Sequence, residues 1–224
     1  MFSKRHRVWV PAILLTITTL VCGVTPSMAT NAATQTDATA AGIPAGVAAA
    51  RAHVMHILSE SQAADAPFIV VSVKAQRLYL FMNGKLSTSY PISSSAFGVG
   101  NAAGSNRTPL GLHKIAEKFG NNEPIGMIFK SRRPTGDLAK ILTQPVKGEG
   151  DDVTTRIMWL QGLEPGVNEG PGIDSHARYI YIHGTPEEGL IGTPESHGCI
   201  RMKNQQVIAL FNQVPVGTLV DIID

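Results

Sequence analysis

Chemistry in this chain centres on one thiol and two imidazoles. Tyr179-Ile180-Tyr181-Ile182-His183-Gly184-Thr185 is followed by Ser196-His197-Gly198-Cys199-Ile200-Arg201-Met202. A cysteine nucleophile requires a base, backbone N–H groups aimed at a developing oxyanion, and a group that orients the base. Gly198 has no side chain, so its backbone can approach a substrate carbonyl closely, and the amides of Gly198 and Cys199 are natural oxyanion donors. His197 is two residues from the thiol, and an extended chain separates the two side chains by roughly 6.5–7 Å. His183 ends a separate strand, and a cross-strand neighbour stands at about 4.5–5.5 Å between Cβ atoms. Geometry therefore favours His183 as the base, with His197 shaping the loop or supporting the substrate carbonyl. The carbonyl of Gly184 is placed to fix the second ring nitrogen of His183. An imidazolium beside the thiol would lower its pKa from about 8.5 to well below 7, so the pair is expected to rest largely charged. Arg201 presents a planar fork that suits a substrate carboxylate or a salt bridge holding the loop.

The N-terminus explains why this thiol stands out. Lys4-Arg5-His6-Arg7, an apolar run over 8–24 and Pro26-Ser27-Met28-Ala29 have the layout of a secretory signal with cleavage after Ala29, the alternative being an uncleaved membrane anchor. Removing 1–29 takes Cys22 away and leaves Cys199 as the only cysteine of an exported chain, with no internal disulfide partner. It also changes the net charge from +2 to −1. A near-neutral chain without a basic stripe excludes nucleic-acid binding, and no second segment is apolar enough to span a membrane.

Residues 30–66 read as an Ala/Thr-rich leader with a helix between Pro44 and Ser59, and 67–224 as the catalytic domain. Within it, 68–73 and 77–82 are strands, Asn83-Gly84 is the dipeptide of a type I′ hairpin turn, and 85–92 returns as a third strand. Further strands are expected over 110–116, 156–160, 178–183 and 216–223. One helix follows Cys199, capped by Asn204, with Val207, Ile208, Phe211 and Val214 on its apolar face. The stretch 117–154 is Gly-, Pro- and charge-rich, and reads as a loop that forms a lid or channel wall, or a mobile insertion. The whole describes a mainly β domain with minor helix.

His183-Gly184-Thr185 with Ser196-His197-Gly198-Cys199-Ile200-Arg201 resembles the signature of L,D-transpeptidase catalytic domains of the YkuD type. The resemblance extends to the opening hairpin over 69–82 and to Arg107-Thr108-Pro109-Leu110-Gly111, and so covers roughly 67–224. It implies a β-sandwich-like domain with one or two short helices that acts on peptidoglycan in the periplasm or cell envelope. Cys199 would attack the carbonyl between an L-centre and the terminal D-Ala of a tetrapeptide stem. D-Ala leaves, and an amine resolves the thioester. His183 is then the general acid/base and Gly184 supplies the orienting carbonyl. His197, Gly198 and Cys199 line the oxyanion site, with Ser196 in support. The family also implies acylation of the thiol by carbapenems.

Three rival readings remain at this stage. His183, His197 and Cys199 could be three zinc ligands, but a fourth has to be sought at His176 or in Glu149-Gly150-Asp151-Asp152, so the favoured reading takes no metal and no cofactor. A wall-binding module without catalysis would have no use for the thiol. An enzyme of the same fold could pass the acyl group to a stem amine, a wall-anchored lipoprotein lysine or water, the last making it an L,D-carboxypeptidase. His53, His56, His113 and His176 read as surface or packing histidines, Trp159 and Tyr181 as core or pocket wall, and 149–152 as a solvated acidic loop.

Overall fold

The first strand shows how the fold is organised. In the computed structural model, which describes residues 42–224, Phe68-Ile69-Val70-Val71-Ser72 is buried along its whole length. Such an unbroken apolar run belongs to a strand covered on both faces. Phe68 and Val70 point towards one hydrophobic cluster, and Ile69 and Val71 towards another. β1 (Phe68–Ser72) pairs antiparallel with β2 (Arg77–Met82) and parallel with β10 (Leu219–Ile223), which closes the chain. The remaining strands are β3 (Lys85–Pro91), β4 (Gly111–Phe119), β5 (Met127–Lys130), β6 (Arg133–Leu138), β7 (Val153–Gly162), β8 (Tyr181–Gly184) and β9 (Ile200–Met202). They form one ten-stranded mixed sheet in the order β3-β2-β1-β10-β4-β7-β5-β6, with β8 on β7 and β9 on β8.

The sheet folds over on itself. Ile182, Ile200 and Met202 from β8 and β9 share a cluster with Ile69, Val71, Leu78 and Leu80 from β1 and β2. Helix α2 (Asn204–Gln213) closes this core with Val207, Leu210 and Phe211. Helix α1 (Ala45–Glu60) covers the opposite face of β1 and β2, burying Val47, Ala50, Val54 and Leu58 against Phe68, Val70, Tyr79 and Phe81. Each fully buried valine or leucine contributes about 1.5–3 kcal/mol, so α1 is bound by its apolar face into the same unit as the sheet. Arg51 Nε also donates to the Gly84 carbonyl at 2.7 Å and ties α1 to the first hairpin. The architecture is mainly β and sandwich-like, as the sequence predicts. The signal-like segment 1–29, Cys22 and the first part of the leader lie outside the described residues.

Several expectations need correction in detail. Asn83 and Gly84 do form the hairpin turn, with φ of 50° and 69°. The strand expected over 178–183 starts only at Tyr181, because Tyr179 adopts φ 57° and turns the chain. The strand expected from 216 starts at Leu219, after Gly217 at φ 91°. The expected loop 117–154 is largely structured: it contains the end of β4, the β5–β6 hairpin and the start of β7. Its irregular part is 139–152. Asn204 does not cap α2 but is its first residue, with a buried side chain; the Glu188 carboxylate accepts the Asn204 backbone N–H at 2.7 Å instead. An anionic oxygen at that end also suits the helix dipole.

Candidate active site

Two short parallel strands set the relative positions of the reactive residues. Their register pairs Ile182 with Ile200, His183 with Arg201 and Gly184 with Met202. Continued by one residue, this register sets Cys199 opposite Tyr181, and the Tyr181 N–H does reach Cys199 Sγ at 3.4 Å. His183 is therefore a diagonal neighbour of the thiol on the same face. That is one step further than the direct cross-strand pairing expected from sequence. No hydrogen bond links the two side chains; the thiol of half-buried Cys199 instead donates to the Tyr179 carbonyl at 3.5 Å.

His183 is buried, and its Nδ1–H donates to the Gly184 carbonyl at 2.7 Å, which leaves Nε2 as the basic nitrogen. A side chain at Gly184 would collide with Asn204 Oδ1 at 2.5 Å and the Thr154 carbonyl at 2.8 Å. Asn204 is the hub behind this wall. Its Oδ1 accepts from the Thr154 and Thr155 hydroxyls at 2.8 and 2.5 Å, and its Nδ2 donates to the Thr185 carbonyl at 2.8 Å. Thr155 sits at φ 67° in a bulge of β7 opposite β8. A β-branched residue in that conformation marks a place where the surroundings impose the backbone.

Burial acts against the charged pair expected from the residue types. It pushes the Cys199 thiol up to about 12, with the Tyr181 N–H opposing, the Asp151 charge adding to the rise and the Arg201 and Arg178 charges opposing. It pulls His183 down to about 4, against the Asp151 charge and the Gly184 hydrogen bond. Desolvation disfavours charge on either partner, so thiol and imidazole rest neutral.

The loop that carries Cys199 is pinned by hydrogen bonds to its backbone. The Thr108 hydroxyl donates to the Gly198 carbonyl at 3.1 Å and accepts the Ser95 N–H at 3.0 Å. Gly198 has φ 120°, and a Cβ there would crowd Ile180 and the Arg107 carbonyl at 3.2 and 3.3 Å. Ser196 Oγ donates to the Cys199 carbonyl at 2.6 Å and accepts the Gly198 N–H at 3.2 Å. Of the two amides named as oxyanion donors, that of Gly198 is thus engaged within the loop.

Arg201 is buried and bracketed by two carboxylates, Glu187 at 2.7 Å and Asp151. Its fork is occupied, which is the loop-holding arrangement rather than an open carboxylate site. Asp151 also accepts from His197 Nδ1 at 2.8 Å. This acid lies in the segment expected to be a solvated loop, and sequence reasoning missed it. Glu187, which also accepts the Gly148 N–H at 2.6 Å, was missed too. Segment 139–152 is therefore fastened to His197, Arg201 and Glu187, and the two grooves that flank it meet at Lys147–Gly150. One of about 580 Å³ is lined by Ile128, Leu138, Leu142, Val146 and Pro186 among others. The other, of about 170 Å³, is lined by Asp151, Glu187, Glu195, His197 and Arg201 among others. Among the described residues, no group of three or more His, Cys, Asp and Glu side chains is arranged to hold a metal ion. His113 is a packing residue between the Gly111 carbonyl and Ser175, at 2.8 and 3.0 Å.

Burial works to raise the Asp151 pKa, but the hydrogen bond and charge of Arg201 outweigh it and hold the carboxyl below its ordinary value. A depressed carboxyl contributes stability that is fully present above the unfolded-state value, near 3.9, and is lost as pH falls through the folded one. Asp151→Asn is expected to cost about 1–2 kcal/mol at neutral pH, as a charge-assisted hydrogen bond at a partly solvated site does. Thermal melts of both proteins should differ by a few degrees at pH 7 and converge as pH falls below the ordinary carboxylate range. A gap unchanged in acid would remove the ionic explanation.

A β-sheet scaffold thus carries a thiol loop and a buried histidine on adjacent parallel strands. The model of the YkuD family, the L,D-transpeptidase catalytic domain, matches residues 66–222, and the chain belongs to that family. Among curated relatives, probable L,D-transpeptidase ErfK/SrfK of Escherichia coli is 51% identical over 160 residues, 70% of this chain and 44% of that protein. Probable L,D-transpeptidase YcfS of the same organism is 29% identical over 164 residues, 71% of this chain and 45% of that protein. The chain thus spans less than half the length of these two relatives. Putative L,D-transpeptidase YqjB of Bacillus subtilis is 25% identical over 167 residues, 75% of this chain and 77% of that protein. Among solved structures, the L,D-transpeptidase LdtMt1 in complex with imipenem aligns with a TM-score of 0.44 at 19% identity, covering 71% of this chain and 59% of that one.

Proposed function

We propose that this protein is a peptidoglycan L,D-transpeptidase of the cell envelope in which Cys199 is the nucleophile and His183 the general acid/base. The observation that carries the reading is the parallel β8–β9 register, which sets a lone thiol and a buried, carbonyl-oriented imidazole on one face. The thiol turns from the Tyr179 carbonyl towards His183 and attacks the carbonyl between the L-centre and D-Ala of a tetrapeptide stem. Its proton passes to Nε2 as the S–C bond forms, because neither partner is stable alone as an ion in this environment. The Cys199 amide and the neighbouring loop donors receive the oxyanion. Collapse breaks the C–N bond, Nε2–H protonates the departing D-Ala amine, and a thioester remains. An acceptor amine then attacks the thioester, yields its proton through His183, and restores the thiol. No cofactor or metal enters any step. The acceptor is a stem amine, giving a 3→3 crosslink, or a lysine of a wall-anchored lipoprotein; export follows the signal-like 1–29 segment. No helix among the described residues is long and apolar enough to cross a membrane.

Segment 139–152 is fastened to His197 and Arg201 by Asp151, and water in place of the amine would make the protein an L,D-carboxypeptidase. The same thiol would be acylated by carbapenems. Purified protein incubated with disaccharide-tetrapeptides and followed by mass spectrometry should release D-Ala and form crosslinked dimers. D-Ala release with only monomeric tripeptide would replace transfer by hydrolysis, and an unchanged substrate would remove the enzyme reading.

A further inference from the structure

The β5–β6 hairpin turns at Ser131-Arg132, with φ of 48° and 66°. A two-residue turn of this kind ordinarily takes Asn-Gly, because both central residues need positive φ. Two non-glycine residues make it strained, and such strain persists only where the surroundings hold it, often at ligand-binding positions. What holds Arg132 is an aromatic wall. Its guanidinium lies 4.3 Å over the Trp159 ring and 5.4 Å from the Tyr179 ring, and Nη1 donates to the Tyr181 hydroxyl at 3.2 Å.

That wall also touches the reactive sulfur. Tyr181 donates its backbone N–H to Cys199 Sγ, and Tyr179 accepts from it through its carbonyl. Arg132 thus stands one tyrosine side chain from the thiol, on the opposite side of Tyr181. The other two arginines near the sulfur are taken. Arg201 is held by Asp151 and Glu187, and Arg178 donates to the carbonyls of Gly100, Asn101 and Arg107. Among the described residues Arg132 makes no ion pair within 4 Å; it lies on rings and donates one hydrogen bond, to a phenol, while the Glu117 carboxylate acts on its charge from further away. A guanidinium in that state is set to receive a carboxylate in a bidentate fork.

We propose that Arg132 is a specificity-determining residue that binds a carboxylate of the donor stem, and that this carboxylate is the one at the end of the side chain of the residue whose carbonyl is attacked. The inference rests on the reading under Proposed function. If that residue is a diamino-diacid, its distal carboxylate is several carbons from the scissile carbonyl, and Arg132 in turn stands off the sulfur by the length of the Tyr181 side chain. The terminal carboxylate of D-Ala lies nearer the scissile bond and is the other source of the same chemistry.

Three tetrapeptide stems separate these sources: one with both carboxylates free, one amidated at the side-chain carboxylate and one amidated at the D-Ala terminus. D-Ala release from each is followed by mass spectrometry for the unmodified protein, Arg132→Met, which keeps an apolar chain on Trp159, and Arg132→Lys, which keeps the charge without the fork. The unmodified protein is expected to lose about 10- to 100-fold in kcat/KM on side-chain amidation. Arg132→Met should lose a similar factor on the free stem and no longer distinguish it from the side-chain amide, with Arg132→Lys in between. Discrimination against the terminal amide, erased in Arg132→Met, would keep the carboxylate role and move it to D-Ala. Release that is equal on all three stems, or discrimination that survives in both variants, would overturn the proposal while leaving the enzyme reading intact. Should Arg132→Met fail to fold, Arg132→Lys and the preferences of the unmodified protein decide the matter. Absence of Cys199-dependent release from every stem would instead overturn the parent reading.

Discussion

Cys199→Ala is expected to abolish D-Ala release, by about 10³-fold or more, while leaving the domain folded. The size of the loss follows from the role: without the sulfur there is no thioester, and what remains is the weak effect of holding the stem in place. The fold should survive because little rests on this side chain. Cys199 is half-buried against the cluster of Trp159 and Tyr181, and its contacts with Tyr179 and Tyr181 are long sulfur hydrogen bonds. Removing one sulfur from such a site costs on the order of 1 kcal/mol, a few degrees in melting temperature. The loop stays anchored by Thr108 and Ser196, whose hydrogen bonds are to the backbone of Gly198 and Cys199. The measurement is a pair: product formation by mass spectrometry and a thermal melt. Measurable turnover in a folded variant would remove Cys199 from the mechanism. A collapsed melt would show that the sulfur has a structural part the contacts do not suggest.

The legible part of this protein was local. Asn83-Gly84 states its turn in two residues, the doubly buried run 68–72 states its position between two cores, and His183 and Cys199 stand out by type alone. What was illegible depends on pairings between distant segments. β6 shows no alternating pattern, because all six of its residues are exposed and it carries Pro134 on an edge strand. Asp151 looked like part of an acidic surface loop; its partners His197 and Arg201 lie 46 and 50 residues further on, and only the return of 139–152 across the site brings them together. Arg132 carried no signal, since a hairpin with Ser-Arg at its tip does not announce itself.

The charge state of Cys199 and His183, the proposed catalytic pair, shows the same limit at finer grain. The residue types suggest a thiolate–imidazolium pair, and in a solvated cleft they would form one. Burial reverses the preference, and burial is a property of the packed sheet. Asp151 has opposite consequences for the two partners: it raises the proton affinity of His183 and that of Cys199. It favours imidazolium and disfavours thiolate, so it stabilises the proton on nitrogen only once the sulfur has spent its charge on the substrate carbonyl. A neutral resting pair also protects a lone thiol from casual alkylation and oxidation, which depend on thiolate.

His183→Gln is expected to lower D-Ala release by about 10²- to 10⁴-fold, the usual range for a general acid/base, and the pH dependence of the unmodified protein gives this prediction its sign. The base must be neutral to accept the thiol proton. With His183 at about 4, kcat/KM should hold from neutral pH down through 6 and fall only as pH approaches 4. With Cys199 at about 12, iodoacetamide should alkylate the free protein slowly at pH 7 and about tenfold faster with each pH unit into the alkaline range. A charged resting pair would behave oppositely, alkylating fast near neutrality with a plateau above the thiolate pKa. That plateau in a folded sample would overturn the neutral pair while leaving the identity of the nucleophile untouched. Stability provides an independent check. A histidine whose folded pKa is depressed makes the unfolded chain the better proton acceptor between about 6.5 and 4, so the protein should lose stability as pH falls through that window. His113, buried and also lowered to about 4, contributes in the same sense. His183→Gln should therefore remove part of the acid sensitivity of the melt while it removes the activity. A variant that lost activity but kept the full acid slope would show that His183 is not the buried, neutral group on which the mechanism depends.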